Sequence, residues 1–385
     1  MRNYLLSCLV VFFNLVAIQS VSAQVGQHTW GYEYRGEIPV YVDSIHNMLT
    51  YPFAYRHYGD KAGWKDAARY KVLECMGERP PLPHDWDMEI LASEKRDGYK
   101  AMRIEFSLSS WYRVRAYLLV PEGDGRFPAV NLLHDHGAHL SIGKEKMIRP
   151  FAVDTAVVTD ADSWVSSLYE GQYLGDYLAR HGYVVFSCDA PLWGERGRKE
   201  GVDRKKYDII AGNMMMLGVD LCAFMHYDDM ASTDFLASLP YVDSERIGAA
   251  GCSMGAYRAW MLSALSDRVR AACSVCWMVT TPVQLTTEYG RKENGGFANC
   301  IPMLRRFMDY PDIASIAAPK PAMFISGNKD KLFPVKGVQD AFKIMDDVWK
   351  AKNGAANLET YILDQPHECN RKDQQMILDF FDRHL

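Results

Sequence analysis

Arg246-Ile247-Gly248-Ala249-Ala250-Gly251-Cys252-Ser253-Met254-Gly255-Ala256-Tyr257-Arg258-Ala259-Trp260-Met261-Leu262-Ser263-Ala264-Leu265 is the stretch on which the reading of this chain turns. Arg246 to Ala250 reads as a buried strand and Ala256 to Leu265 as a helix. Between them, Gly251 and Gly255 stand two residues before and two residues after Ser253. A strand that turns straight into a helix brings side chains at those two positions into collision, so small residues are needed there. The turn leaves the central hydroxyl exposed at the strand tip. The bare five-residue pattern recurs by chance; the strand before it and the helix after it give it weight.

Such a serine makes demands on the sequence that follows. A hydroxyl is not nucleophilic at its own pKa and needs a base, and the base needs an acid to hold its tautomer. Phe324-Ile325-Ser326-Gly327-Asn328-Lys329-Asp330 is a buried strand running into a turn, with Asp330 where that acid is expected. Tyr361-Ile362-Leu363-Asp364-Gln365-Pro366-His367 is the next strand and its loop, ending on His367. Of the 11 histidines only His367 and His384 follow Asp330, and His384 is the penultimate residue. The reading is therefore Ser253 as nucleophile, His367 as base and Asp330 as acid. The oxyanion donors are expected to be the N–H of Met254 and, from the loop after an upstream strand, the N–H of Ala138.

That upstream strand is Ala129 to Leu133, a short apolar run without alternation that suits burial on both faces. It leads into His134-Asp135-His136-Gly137-Ala138-His139. The same loop supports a rival reading, because His134 and His136 with Asp135 and His139 could hold a metal. Later strand ends supply only His367 as a further histidine, so the metal reading is set aside: no metal and no cofactor is expected. Cys252 stands one residue off the centre of the turn and is read as packing. His136, Trp193, Arg196 and Trp277 are candidates for contact with substrate, each on a loop or strand end that borders the site. Thr280 to Arg305, with Gly295-Gly296, is the candidate lid.

The rest of the chain alternates strands and helices. Tyr99 to Leu108 and Arg113 to Val120 are leading strands with no helix between them. Further strands are read at Tyr183 to Ser187, Ala271 to Trp277, Pro321 to Ser326 and Thr360 to Leu363. Helices are read at Leu168 to Arg180, Ile209 to Leu239, Val335 to Lys350 and Asp373 to His384. This is an α/β chain: a mostly parallel twisted sheet with helices on both faces and an antiparallel N-terminal edge. Residues 24–98 are read as an N-terminal extension packed on a main domain at 99–385. Within the extension, Asp60 to Met76 is one helix, broken by Pro80-Pro81-Leu82-Pro83.

Residues 1–23 are read apart from the fold. Arg2, an apolar stretch from Leu5 to Ile18, and Val21-Ser22-Ala23 before Gln24 have the order of a secretory signal peptide. Leu5-Leu6-Ser7-Cys8 stands before the apolar stretch rather than after it, which argues against a lipid attachment site. The expectation is export to the periplasm or beyond, with no stable membrane insertion after cleavage. The whole chain of 385 residues is 48% hydrophobic and 24% charged, a globular composition. Its net charge of −5 lacks the basic footprint that phosphate neutralisation needs, which excludes nucleic acid as the main partner. Of the 9 cysteines, Cys8 leaves with the signal. Cys273 and Cys276 form a C-x-x-C on a strand, where residues three apart face opposite ways.

Taken together, the His136-Gly137 loop, the Gly-Cys-Ser-Met-Gly turn, Asp330 and Pro366-His367-Glu368 resemble the α/β-hydrolase superfamily. Within it they look like the acetyl-xylan-esterase-like and dienelactone-hydrolase-like branch of secreted bacterial esterases. The resemblance covers about residues 99–385. It implies a Ser253–His367–Asp330 esterase acting on acetyl or methyl esters of plant polysaccharides or oligosaccharides. Two departures stand out. Cephalosporin-deacetylase-type acetyl xylan esterases carry Arg-Gly-Gln and a Gly-x-Ser-Gln-Gly-Gly turn, where this chain has Met254 and Ala256 and no Arg-Gly-Gln. Dienelactone hydrolases have cysteine where this chain has Ser253. The alternatives are a prolyl-oligopeptidase-like peptidase, disfavoured because there is no length for a propeller, and a non-catalytic glycan-binding homologue, disfavoured because all three positions are filled.

Overall fold

Strand β6 (Phe127–Leu133) and strand β8 (Val242–Cys252) run parallel through the middle of a nine-stranded sheet in this computed structural model. The structure describes residues 34–35, 38–39, 41–197, 204–285 and 295–385. The expected signal segment at 1–23 lies outside them. The chain divides into two units, Met1–Leu49 and Thr50–Leu385. In the first, the short strands β1 (Tyr34–Arg35) and β2 (Ile38–Pro39) pair antiparallel and precede the helix Tyr41–Asn47.

The second unit holds the large sheet. Its other strands are β3 (Glu89–Arg96), β4 (Tyr99–Ser109), β5 (Tyr112–Pro121), β7 (Val184–Cys188), β9 (Val269–Val275), β10 (Ala322–Gly327) and β11 (Leu358–Leu363). The order across the sheet is β11-β10-β9-β8-β6-β7-β5-β4-β3. The run from β11 to β7 is parallel, while β5, β4 and β3 are antiparallel to their neighbours. β7 and β10 are buried at every residue, as strands covered on both faces must be. This is the α/β-hydrolase architecture, with the antiparallel edge where it was expected.

Three boundaries differ from the reading of the sequence. The second unit begins at Thr50, and residues 50–98 are part of it. The helix Trp64–Met76 buries Trp64, Ala68, Val72 and Met76 in the same core as Trp260 and Trp277. β3 extends the sheet itself; as an edge strand it exposes most of its residues, so it carries no apolar signal. The long helical stretch from Ile209 to Leu239 is two helices, Arg204–Met216 and Leu221–Ser238. Gly218 at φ +80° ends the first, and the Asp220 side chain caps the second by accepting the Ala223 N–H at 2.7 Å. Likewise the helix read at Leu168 to Arg180 is Leu174–Arg180, preceded by a separate helix Thr155–Leu168. Among the described residues no single helix is long and apolar enough to cross a membrane.

Candidate active site

β8 ends at Cys252 and the helix Met254–Leu265 begins two residues later, with Ser253 alone in the turn at φ +56°, ψ −123°. That backbone conformation is strained for a residue with a Cβ. It is held by the Ser253 N–H donating to the Val275 carbonyl at 2.8 Å, so the end of β9 fixes the turn. The two flanking glycines are needed for space. A Cβ on Gly251 would meet the Leu133 carbonyl oxygen at 2.4 Å, and one on Gly255 would meet it at 1.9 Å. The turn thus sits directly against the last residue of β6. Cys252 and Met254 are buried while Ser253 is partly exposed. As the first helical residue, Met254 has an N–H with no acceptor inside the helix.

The ends of β10 and β11 bring Asp330 and His367 together. The Asn328 N–H donates to Leu363 O at 2.8 Å and the Lys329 N–H to Gln365 O at 3.1 Å, which zips the two loops side by side. Asp330 Oδ2 then lies 2.7 Å from His367 Nδ1, while Asp330 Oδ1 accepts the Leu332 N–H at 2.7 Å. The Asp330 side chain is 1% exposed and that of His367 19%, so the carboxylate is sealed in and the ring edge reaches out. Phe333 lies nearly parallel to the imidazole, at 6.0 Å between ring centres. Burial alone would push the His367 pKa down. The hydrogen bond to Asp330, the Cys276 sulfur and the Asp330 charge outweigh it, and the net shift is upward. The other acid at hand, Asp364, forms a surface ion pair with Lys329.

Cys276 belongs to this neighbourhood, which the reading of the sequence missed. β9 stops at Val275, and Cys276 lies beyond it at φ +58°. Its N–H donates to Ile325 O at 2.7 Å, and its thiol donates to Glu368 O at 3.4 Å. A hydrogen bond with Cys252 holds the Cys276 thiol below the ordinary range and Cys252 well above it. None of the eight described cysteines forms a disulfide.

The loop after β6 is held by groups that no sequence pattern announces. Gly137 and Ala138 are both left-handed, at φ +60° and +51°, and a Cβ on Gly137 would strike the Trp164 ring at 2.4 Å. The fully buried Lys146 ammonium donates to Asp135 O at 3.1 Å and His136 O at 3.1 Å. The Asp135 carboxylate accepts from Tyr169 OH at 2.8 Å and Trp164 Nε1 at 3.2 Å. The loop histidines do not converge. His134 uses Nε2 to accept the Ala190 N–H and has Nδ1 2.8 Å from Asp135 O, while His139 Nε2 lies 2.6 Å from Asp160. Burial drives the His134 pKa well down, so its ring is neutral. Ala138, the expected second oxyanion donor, gives its N–H to His136 Nδ1 at 2.9 Å. It is therefore satisfied within its own loop rather than aimed at the turn.

Three expected substrate contacts are corrected. Trp193 is 1% exposed and stands behind the loop, donating from Nε1 to His136 O at 3.2 Å. Arg196 pairs with Asp228 at 2.7 Å, bonds Asp189 O at 3.1 Å and lies over the Tyr112 ring, so its charge is fully engaged. Trp277 is 2% exposed inside an aromatic core, stacked on Tyr257 at 4.6 Å and edge-on to Tyr310. Of the four candidates only His136 keeps a partly exposed side chain at the loop. Two buried ion-pair systems brace the site from below. Lys144 meets Asp189, Glu145 and Glu195 at 2.7–2.8 Å, tying the loops after β6 and β7 together. Arg258 makes two bonds to Asp229, at 2.6 and 3.0 Å, joining the helix behind Ser253 to Leu221–Ser238. Of the candidate lid, residues 286–294 lie outside the described residues; its flanks are the short helices Thr281–Gln284 and Gly295–Ala298.

A family model described as the Abhydrolase family matches residues 42–355, more than four-fifths of the chain. The chain belongs to the Abhydrolase family. This match includes Ser253 and Asp330 and stops before His367. Among curated proteins it is 27% identical over 289 residues to YtaP of Bacillus subtilis (strain 168), itself assigned only by inference as a hydrolase. That alignment covers 75% of this chain and 87% of YtaP. Among solved structures, a Bacteroides fragilis NCTC 9343 protein inferred to be an acetyl xylan esterase superposes with a TM-score of 0.66 at 18% identity. The superposition covers 83% of this chain and 81% of the other. The glucuronoyl esterase from Solibacter usitatus gives a TM-score of 0.57 at 14% identity, over 84% and 93%. At these identities the likeness is one of fold.

Proposed function

We propose that this Abhydrolase-family member is a serine carboxylic-ester hydrolase that works through an acyl-enzyme. The single observation that carries the reading is the sealed Asp330 carboxylate 2.7 Å from His367 Nδ1, with the strand-tip Ser253 held in the sheet two strands away. Asp330 keeps the Nδ1 proton in place, which leaves Nε2 free to take the Ser253 proton as the hydroxyl attacks an ester carbonyl. The His367–Asp330 pair then stabilises the imidazolium, and the same proton goes to the leaving alcohol. Water repeats the sequence on the acyl-enzyme. The Met254 N–H at the helix start is the first oxyanion donor. The second comes from the loop at 134–139, where Lys146 holds two successive carbonyls and so sets the direction of the peptide planes.

The substrates proposed are acetyl or methyl esters on plant polysaccharides or oligosaccharides. Support comes from the resemblance of the motifs and from the esterase names of the structural relatives, whose likeness is one of fold. The enzyme is proposed to be exported, on the order of features in residues 1–23; the N-terminal sequence of the mature protein, expected to begin at Gln24, tests this. Acetylated xylan, methylated pectin and peptides offered side by side test the substrate class. Release of acetate or methanol that depends on Ser253 is expected, and cleavage of peptides alone would overturn the ester reading.

A further inference from the structure

We infer that the His367–Asp330 pair, together with Cys276, forms an inhibitory site for a borderline-soft divalent cation, Zn²⁺. The Cys276 sulfur, a carboxylate oxygen of Asp330 and a ring nitrogen of His367 all lie within 4.8 Å of one another. For any triangle of that size there is a point within about 2.8 Å of all three atoms, and zinc bonds nitrogen, oxygen and sulfur at about 2.0–2.3 Å. A closure of about 0.5–0.8 Å suffices. The chemistry of the set suits zinc, which takes thiolate, imidazole and carboxylate together and keeps a fourth position for water. Cys276 is also fixed in place: its N–H is bound to Ile325 O and its sulfur faces the Glu368 carbonyl, one residue from His367.

The other cluster of three acids, Glu145, Asp189 and Glu195, offers no such place. Lys144 Nζ already sits among them, 2.7–2.8 Å from each. At Cys276 no cationic side chain fills the centre among the described residues that contact it.

Binding at this site stops the proposed reaction by a defined route. The thiol releases its proton to solvent as the sulfur binds, and no electron changes hands. The imidazole ring keeps one proton. If the metal takes Nδ1, that proton resides on Nε2; if the metal takes Nε2, the lone pair itself is used. In both cases no lone pair remains to accept the Ser253 proton, and Asp330 is drawn away from its role. The inhibition therefore rests on the catalytic reading of His367, whereas the binding does not.

The test uses the full-length mature protein and two readouts. The first is zinc titration of p-nitrophenyl acetate hydrolysis. Inhibition reversed by EDTA is expected, with the half-inhibitory concentration raised in Cys276→Ala by at least the about 10- to 100-fold that loss of a supporting partner alone costs a metal site. Equal zinc sensitivity in Cys276→Ala, or in Cys276→Ser should the alanine variant not fold, overturns the proposal. The second readout is the thiolate-to-metal absorption band of Co²⁺ added to Ser253→Ala. A band that is absent in Ser253→Ala/Cys276→Ala supports the site; no band in Ser253→Ala overturns it. If Ser253→Ala still hydrolyses esters while the band is present, the metal site stands and the serine-hydrolase reading falls.

Discussion

Replacing Gly255 by alanine tests how the active site is built, because the new Cβ has nowhere to go. It would lie 1.9 Å from the Leu133 carbonyl oxygen, 2.8 Å from the Leu133 carbonyl carbon and 3.1 Å from the His134 carbonyl carbon. All three are backbone atoms, so no side-chain rotation relieves the clash. Reaching the ordinary contact distance of 3.4 Å from that oxygen requires a separation of about 1.5 Å. β6 cannot yield, since it is paired with β8 on one side and β7 on the other. The displacement therefore falls on the turn carrying Ser253 or on the loop beginning at His134, and both belong to the proposed reaction site. Overpacking of this kind costs about 1–3 kcal/mol of stability. A misplacement of about 1 Å in a catalytic arrangement costs roughly 100-fold in rate.

The assay is kcat for p-nitrophenyl acetate together with urea denaturation of the same preparation. Gly212→Ala serves as the control. Gly212 lies in the helix Arg204–Met216, and a Cβ added there would meet nothing within 4 Å. Alanine at 212 should therefore leave kcat unchanged and add about 0.5–1 kcal/mol of stability. A Gly255→Ala enzyme with wild-type kcat and wild-type stability would refute the reasoning about the turn.

Three further predictions concern charge. Asp330→Asn should lower kcat by about 10⁴-fold, since the amide no longer enforces the Nδ1-protonated tautomer; a rate near that of the wild type would remove Asp330 from its assigned role. His367 must be neutral to act as base, and its pKa is raised, so kcat/KM should fall as pH drops through a value above the ordinary histidine figure of about 6.5. The same upward shift means the charged pair adds stability that is complete below the unfolded pKa and is lost as pH rises through the folded one. An acid limb at or below the ordinary value would contradict this assignment. Arg258→Met should destabilise the protein by about 3–5 kcal/mol by leaving Asp229 buried and uncompensated, whereas Arg258→Met/Asp229→Leu should recover most of that loss. Equal destabilisation in the single and double variants, measured by urea denaturation, would show that the pair is not the cause.

The features legible in the sequence were those imposed by backbone geometry. A strand that turns into a helix around Ser253 admits only small residues at 251 and 255, and the composition of that turn is visible without a structure. Buried strands such as β7 and β10 are mostly apolar, with one serine each, and were found for that reason. β3 was missed because an edge strand exposed along most of its length looks like a polar loop. The break between Arg204–Met216 and Leu221–Ser238 was signalled by Gly218 and Asp220 and was overridden by the apolar residues around them. Side-chain direction was the part that could not be read. Trp193, Arg196 and Trp277 sit where loops border the site, yet each points into the protein, and only the surroundings decide that. Lys144 and Lys146 look like a solvated turn in sequence, and their complete burial depends on carboxylates and carbonyls supplied by distant segments.

The most direct test of the account is covalent labelling with an organophosphonate ester, followed by peptide mass spectrometry to locate the adduct. The prediction is loss of ester hydrolysis in step with one phosphonyl group on Ser253, and no labelling at that position once His367 is replaced by alanine. Full labelling of Ser253 with activity retained, or inactivation with the adduct on another residue, would contradict it.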